Sequence, residues 1–319
     1  MYRGSLSYDD VALVPQYYAG NSRSQISTQV ELGDFTFALP VVPANMKCVI
    51  DVATAKLLQS NNYFYIMHRF DVDTIAFVQQ CKDENWQYAS ISLGCKQEDW
   101  HVVTALAQAN LMPEYITIDI AHGHSLMMQN TIAHIKKHLP KTFVIAGNVA
   151  TPQAYEDLCN WGADAVKVGV GPGKACTTRL KTGFYSPMFS TISAIAMHRE
   201  QTTSHQPIIA DGGVQRNGDI AKAIVAGANM VMAGSIFAAC TDSPAPSVGK
   251  SGKKTYFGSA SAANKGHKRN VEGRTVLIED NYMTYLEKLQ EITQDLQSAI
   301  SYAGGTLDTN TDWMVLHQS

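Results

Sequence analysis

Residues 169–179 read Gly-Val-Gly-Pro-Gly-Lys-Ala-Cys-Thr-Thr-Arg, a glycine-rich loop that delivers one cysteine. Three glycines let the backbone turn tightly and approach a ligand closely, where a Cβ would obstruct. Cys176 is followed by Thr177, Thr178 and Arg179, so hydroxyls and a guanidinium stand beside a thiol. Cationic neighbours stabilise a thiolate, and the thiolate is the nucleophilic form. A glycine loop can bind phosphate alone, and a free cysteine is often an inert small hydrophobe. Glycines, thiol, hydroxyls and Arg179 together read as a reactive thiol.

Such a loop needs a scaffold. It follows an apolar, strand-like run, and similar runs occupy residues 39–46, 63–69, 88–94, 115–121, 143–150, 165–171, 207–214 and 229–236. Helical patterns fall between them at 52–60, 73–84, 98–109, 126–138, 152–161, 187–199, 217–226 and 282–301. Strands apolar on both sides, each followed by a helix, predict a parallel sheet covered by helices. Eight such units in 319 residues predict a (β/α)8 TIM barrel, an α/β fold spanning 1–319 as a single domain. A doubly wound open sheet shares the alternation and is the competing arrangement. The barrel demands chemistry at the C-terminal ends of its strands. Those ends carry Asn45-Met46-Lys47, His68-Arg69, Asp119 to Gly123, Asn148, the Cys176 loop, Asp211-Gly212-Gly213 and Gly234-Ser235. Glycine turns after the last two strands are suited to seat a phosphate on backbone N–H groups.

Between the eighth strand and the last helix, residues 241–281 hold Gly249, Gly252, Gly258, Gly266 and Gly273 and a cluster of Lys and Arg. A long irregular segment in a compact domain is commonly a lid, so 241–281 is expected to be an irregular, substrate-closing flap.

Apolar residues at 45% and charged residues at 17% supply a sizeable core. A formal charge of −3 argues against a nucleic-acid or membrane surface. The first twenty residues contain Asp9, Asp10 and Pro15 and no apolar block, so no secretory signal is expected. No apolar run approaches a membrane span. Cys48, Cys81, Cys95, Cys159, Cys176 and Cys240 are scattered without a close pair, which suits a reducing, cytoplasmic setting. His, Cys and Asp never cluster at ligand spacing, so no side-chain metal site is expected.

The sequence resembles the IMP dehydrogenase/GMP reductase family over nearly its whole length. The resemblance rests on residues 169–179, on Ala-Asp-Gly-Gly at 210–213 and on Gly-Ser at 234–235. Gly-Ser-Ala-Ser at 258–261, Val-Glu-Gly-Arg at 271–274 and Asp-Leu-Gln-Ser-Ala-Ile-Ser-Tyr-Ala-Gly-Gly at 295–305 also match. The chain lacks the regulatory insertion usual in the dehydrogenase branch, and its flap lacks that branch's water-activating Arg-Tyr pair. It therefore looks like the reductase branch in its shorter bacterial form. Lys174-Ala175 stands for the usual Ser-Val, altering a phosphate-facing position. Gly258 to Ser261 stands for Gly-Met-Ser-Ser, and Arg69 for a common lysine.

The resemblance implies that GMP and NADPH become IMP, ammonia and NADP, a purine-salvage step. Cys176 would add to purine C2 as a thioimidate, with Thr178 and Glu272 relaying a proton to the departing ammonia. Asp211, Gly212, Gly213, Gly234, Ser235, Gly258, Ser259 and Ala260 would hold the nucleotide's sugar and phosphate, with Arg269 and Gly273 contacting it from the flap. Asp119, Ala121, His122, Gly169, Val170 and Arg69 would line the cofactor side. His122 and His124 read as contacts rather than acid–base groups. Ser22 and Arg23 would reach a neighbouring subunit's cofactor in a homotetramer. Carbonyls of Gly171, Gly173 and Cys176, with Arg179 adjacent, resemble a site for a monovalent cation such as potassium. Oxidation of IMP to XMP, a flavin-dependent barrel and an inactive nucleotide-binding barrel are the alternatives.

Overall fold

The computed structural model describes residues 5–265 and 271–316, with the side chains of all of these except Ala263 and Lys265. Seven parallel strands form one sheet in the order Val41–Pro43, Met230–Ala233, Ile208–Asp211, Ala165–Val168, Phe143–Val149, Tyr115–Asp119 and Ser90–Leu93. The first strand of this sheet in chain order therefore pairs with the last, Val41 opposite Val231, and the sheet curls into the expected (β/α)8 barrel. Most of the strands are buried on both faces, which is why they read as unbroken apolar runs.

One expected strand differs. Residues 63–69 lie between Val41–Pro43 and Ser90–Leu93 but make a single bridge, Met67 with Ile91. Side chains take over the ladder bonds at this seam. The Tyr65 hydroxyl accepts from Ser90 N–H at 3.3 Å and donates to Tyr88 C=O at 3.2 Å. The Ser92 hydroxyl donates to Met67 C=O at 2.7 Å. The barrel closes here through these bonds and Met67 N–H to Ser90 C=O at 3.0 Å, without a regular ladder.

The helices start where short polar side chains can cap them. Asp51, Asp73, Ser125, Thr151 and Thr284 each accept from a backbone N–H in the first turn, and each such cap is worth ~1 kcal/mol. Pro152 occupies the first turn of Pro152–Asn160, where its missing N–H costs nothing. Among the described residues no helix is long and apolar enough to cross a membrane.

At the N-terminal end of the strands, an antiparallel hairpin of Val30–Leu32 and Phe35–Phe37 plugs the barrel. The Phe37 ring lies 5.0 Å from that of Phe64 and 5.4 Å from that of Tyr88, and the Tyr115 hydroxyl donates to Leu32 C=O at 2.6 Å. At the other end, and against expectation, the described part of 241–281 is not irregular throughout. Lys253–Phe257 pairs antiparallel with Thr275–Glu279 in a hairpin whose Lys254 and Tyr256 point inward. Lys254 donates to Ser243 Oγ at 2.8 Å, to Thr241 C=O at 3.2 Å and to Cys240 C=O. Alternation over five residues is too short to stand out in a glycine-rich segment, which is why the hairpin was not expected.

Because Phe37 is fully buried among aromatic rings, Phe37→Ala is expected to cost ~3–5 kcal/mol of stability. Urea unfolding checks this, and a loss below ~1 kcal/mol would mean that the plug is not part of the core.

Candidate active site

A cavity of about 400 Å³ opens at the C-terminal ends of the strands, a volume suited to a small organic ligand. Val149 C=O and the Ser186 hydroxyl accept from Gly169 N–H at 2.9 Å and Val170 N–H at 2.7 Å, fixing the start of the cysteine loop. The Cys176 N–H turns back onto Gly173 C=O at 2.9 Å. Residues 175–177 then run antiparallel to 272–274: Thr177 N–H donates to Glu272 C=O at 2.7 Å, and Arg274 N–H to Ala175 C=O at 2.8 Å. This backbone bridge sets three side chains in series. The Cys176 thiol donates to Thr178 Oγ1 at 3.3 Å, and that hydroxyl donates to Glu272 Oε2 at 2.6 Å. A proton on the thiol therefore has a hydrogen-bonded path to a carboxylate.

Beside this series lies a buried ionic group. Lys167 Nζ stands 3.0 Å from Asp119 Oδ1 and 2.5 Å from Asp211 Oδ2. Asn45 donates to Asp119 Oδ2 and Asn148 to Asp211 Oδ2, each at 2.9 Å. Burial alone would raise the Asp119 carboxyl, but Lys167, Asn45 and Arg69 outweigh it and hold it below the usual carboxylate range. Burial pushes His68 down to about 4, with Lys47 adding to the effect, so its imidazole is neutral at physiological pH. Burial likewise keeps the Tyr256 phenol un-ionised.

Of the residues singled out for a nucleotide, Asp211, Gly212, Gly234, Gly258, Ser259, Ala260 and Gly273 line the cavity. Gly213 and Ser235 do not. Gly213 sits one residue further along, packed on Met188 and Tyr8, and Ser235 begins the short helix Ser235–Ala238. Arg269 lies outside the described residues. On the cofactor side, Asp119, Ala121, Gly169, Val170 and Arg69 line the cavity. His122 does not: Gly123 N–H bonds Asn148 C=O at 2.7 Å, turning the chain outward and exposing the imidazole. His124 pairs with Asp157 at 2.7 Å and stacks on Trp161. Ser22 and Arg23 lie away from the cavity of their own chain, where Arg23 donates to Ser298 Oγ at 3.1 Å.

Gly171 and Gly173 line the cavity, and the Gly173 carbonyl already accepts from Cys176 N–H. Arg179 is exposed, with its guanidinium 4.5 Å over the Tyr185 ring. Lys174 is also exposed and is not among the residues that line the cavity. Among the described residues no group of three His, Cys, Asp or Glu side chains is placed to hold a metal ion.

The sequence reading missed Lys167 and Tyr256, and took Asn45 and Asn148 only as strand-end residues. Lys167 had a usable signal, a charge inside the otherwise apolar strand Ala165–Val168, since a buried lysine needs partners. Tyr256 was hidden in the supposedly irregular segment.

Fold and site together define a (β/α)8 barrel whose active face presents a thiol, a hydroxyl and a carboxylate in series beside glycine turns. The family model for the IMP dehydrogenase / GMP reductase domain matches residues 5–314, and the chain belongs to this family. It is similar to a protein named GMP reductase from Bacillus anthracis, 50% identical over 318 residues that cover 98% of this chain and 96% of the relative. A GMP reductase from Shouchella clausii is 49% identical over 325 residues, covering 100% of this chain and 98% of the relative.

Cys176 is part-exposed while the other five cysteines are buried. Iodoacetamide is expected to modify Cys176 alone in the native protein and the rest only after denaturation, as read by peptide mass spectrometry. Labelling of Cys48 or Cys240 at a comparable rate would contradict the burial described.

Proposed function

We propose that this chain is an NADPH-dependent GMP reductase: GMP, NADPH and two protons give IMP, NADP and ammonium. The observation that carries the reading is the hydrogen-bonded series from Cys176 through Thr178 to Glu272 at the cavity wall. The full-length similarity to proteins named GMP reductase supports the same reaction.

Each step follows from these groups. The thiol proton passes through Thr178 to the Glu272 carboxylate, leaving a thiolate. The thiolate forms a bond to purine C2. The amino group departs with its electron pair and takes the same proton back through Thr178, leaving as ammonia rather than as an amide anion. One proton thus serves both events: the hydrogen lost by the thiol is balanced by the one gained by the leaving amine. A thioimidate now links Cys176 to the purine. NADPH, when bound, supplies a hydride to C2. Collapse then breaks the C–S bond and returns the thiolate, which regains a proton from solvent.

The remaining residues fit the two ligands. Asp211, Gly212, Gly234, Gly258, Ser259 and Ala260 hold the nucleotide's sugar and phosphate. Ile120, Ala121 and Val170 offer an apolar floor to a flat ring. Beside them Asn148 Oδ1 is buried with no partner among the described residues, an acceptor suited to a carboxamide N–H. The reading includes a single catalytic domain over 1–319 in the cytoplasm, with 241–281 closing over substrate as a flap. It also includes a homotetramer in which Ser22 and Arg23 reach a neighbour's cofactor. A potassium ion on the carbonyls of Gly171, Gly173 and Cys176 completes it.

Absorbance at the reduced-nicotinamide band tests the reaction directly. GMP is expected to drive NADPH oxidation with ammonia release, and Cys176→Ala to abolish it while retaining GMP binding. Faster conversion of IMP and NAD to XMP would overturn the assignment. Residual activity in Cys176→Ala within tenfold of wild type, about 1.4 kcal/mol in barrier, would remove Cys176 as nucleophile.

Glu272→Gln separates the steps. It is expected to lose GMP reduction at every pH, because an amide cannot cycle the proton. In the reverse direction only a thiolate is required. At alkaline pH, where a thiol ionises unaided, IMP and NADP are still expected to give a burst of about one NADPH per site in stopped flow. Loss of that burst in parallel with GMP reduction would mean that Glu272 merely steadies the flap.

A further inference from the structure

Lys167 is 1% exposed and touches neither the thiol series nor the open part of the cavity. Its ammonium joins Asp119 and Asp211, which come from the ends of two different strands. Both oxygens of Asp119 are engaged, Oδ1 by Lys167 and Oδ2 by Asn45. At Asp211 both bonds fall on Oδ2, from Lys167 and Asn148. Among the described residues Asp211 Oδ1 has no partner, and Asp211 lines the cavity. Oδ1 is therefore the oxygen left for a ligand hydroxyl.

The structure assigns to Lys167 the role of a positioning residue: it bridges Asp119 and Asp211 and fixes their orientation, with Asp211 Oδ1 presented to the nucleotide's sugar. The assignment rests on the reading of Asp211 as a sugar contact. Two carboxylates in a partly dry barrel mouth repel each other, and without a cation between them one would take up a proton. An Asp211 that is protonated or turned away loses the charged acceptor a sugar hydroxyl needs. Burial works against the ammonium, but the two carboxylates carry its pKa above the ordinary lysine value, so it stays charged at any pH the enzyme meets. Arg69 adds a second positive charge near Asp119. The other titratable groups facing Asp211 are Tyr8 and Tyr256, whose phenols burial keeps neutral, with Cys176 and Cys48 beyond Tyr256 and Asp219 beyond Tyr8.

In Lys167→Met a carboxyl of the pair has a folded-state pKa above its unfolded value. Its contribution to stability is then present at low pH and lost as pH rises. The difference in Tm between wild type and Lys167→Met is therefore expected to widen from about pH 5 to about pH 8. The acidic limb of kcat/KM for GMP is expected to move up by ~1–3 pH units. Lys167→Met/Asp119→Asn, which keeps one carboxylate, should narrow the Tm gap and bring the limb back down. If Lys167→Met does not fold, the double variant is compared with Asp119→Asn, from which it differs only at Lys167. A pH-independent Tm difference with an unmoved limb would show that Lys167 only fills space and would overturn the proposal. A widening difference with an unmoved limb would leave an ion pair without the positioning role and would overturn it equally. If wild type fails to oxidise NADPH with GMP, the functional reading falls, while the Tm comparison still decides whether Lys167 offsets the repulsion between the two carboxylates.

Discussion

The backbone bridge between residues 175–177 and 272–274 is the constraint on which the active face depends. Thr178 and Glu272 are 94 positions apart, and this short antiparallel contact brings the hydroxyl and carboxylate to 2.6 Å. Ordering loop backbone costs ~1–2 kcal/mol per residue, more than one hydrogen bond between side chains returns. That cost is shared with structure on both sides. The cysteine loop leaves a barrel strand and enters the helix Thr178–Thr182. Residues 272–274 lead directly into the hairpin strand Thr275–Glu279. The thiol series is thus a product of two ordered elements meeting.

Two buried lysines show how differently the barrel and the hairpin use a charge. Lys167 meets two carboxylates, which overcome the cost of its burial and drive its pKa up. Lys254 hydrogen-bonds carbonyls and a hydroxyl near the end of the helix Ser235–Ala238, and burial outweighs the more distant Asp280 and Asp242, so its pKa falls. Neutral acceptors at a helix C-terminus favour a cation modestly. The first lysine serves the electrostatics of the cavity. The second ties the hairpin to the barrel wall, and through the hairpin fixes where Glu272 stands.

Much of this was legible in the sequence, for identifiable reasons. Parallel strands buried on both faces and amphipathic helices with Asp, Ser or Thr caps carry their own signals, so Val52–Ser60 and Leu126–His138 match the expected bounds. Cys176, Thr178 and Asp211 were legible because barrel chemistry gathers at strand ends. What was not legible is what depends on partners far along the chain. The apolar run 63–69 looks like any other strand, and only the hydroxyls of Tyr65 and Ser92 displace its ladder. His122 and His124 look alike, yet Gly123 turns one to solvent and Asp157 holds the other. Lys174 sits between glycine and the nucleophile, but the turn that points Cys176 inward points Lys174 out.

The glycines show the same limit from another side. Gly169 and Gly234 both follow strands and both read as turns. Gly169 has φ +144° and its absent Cβ would lie 2.1 Å from Asp211 C=O, so both its conformation and the close approach of the next strand demand glycine. Gly234 has an ordinary φ of −107°, and a Cβ there would lie 2.3 Å from the Tyr256 hydroxyl. Its glycine is required by the hairpin, whose phenol occupies the space a side chain would take. The barrel mouth is therefore shaped to receive Lys253–Phe257, and the hairpin is part of the cavity wall. The contact of Gly234 with Tyr256 therefore acts together with the bonds of Lys254 to seat the hairpin that carries the chain back to Glu272.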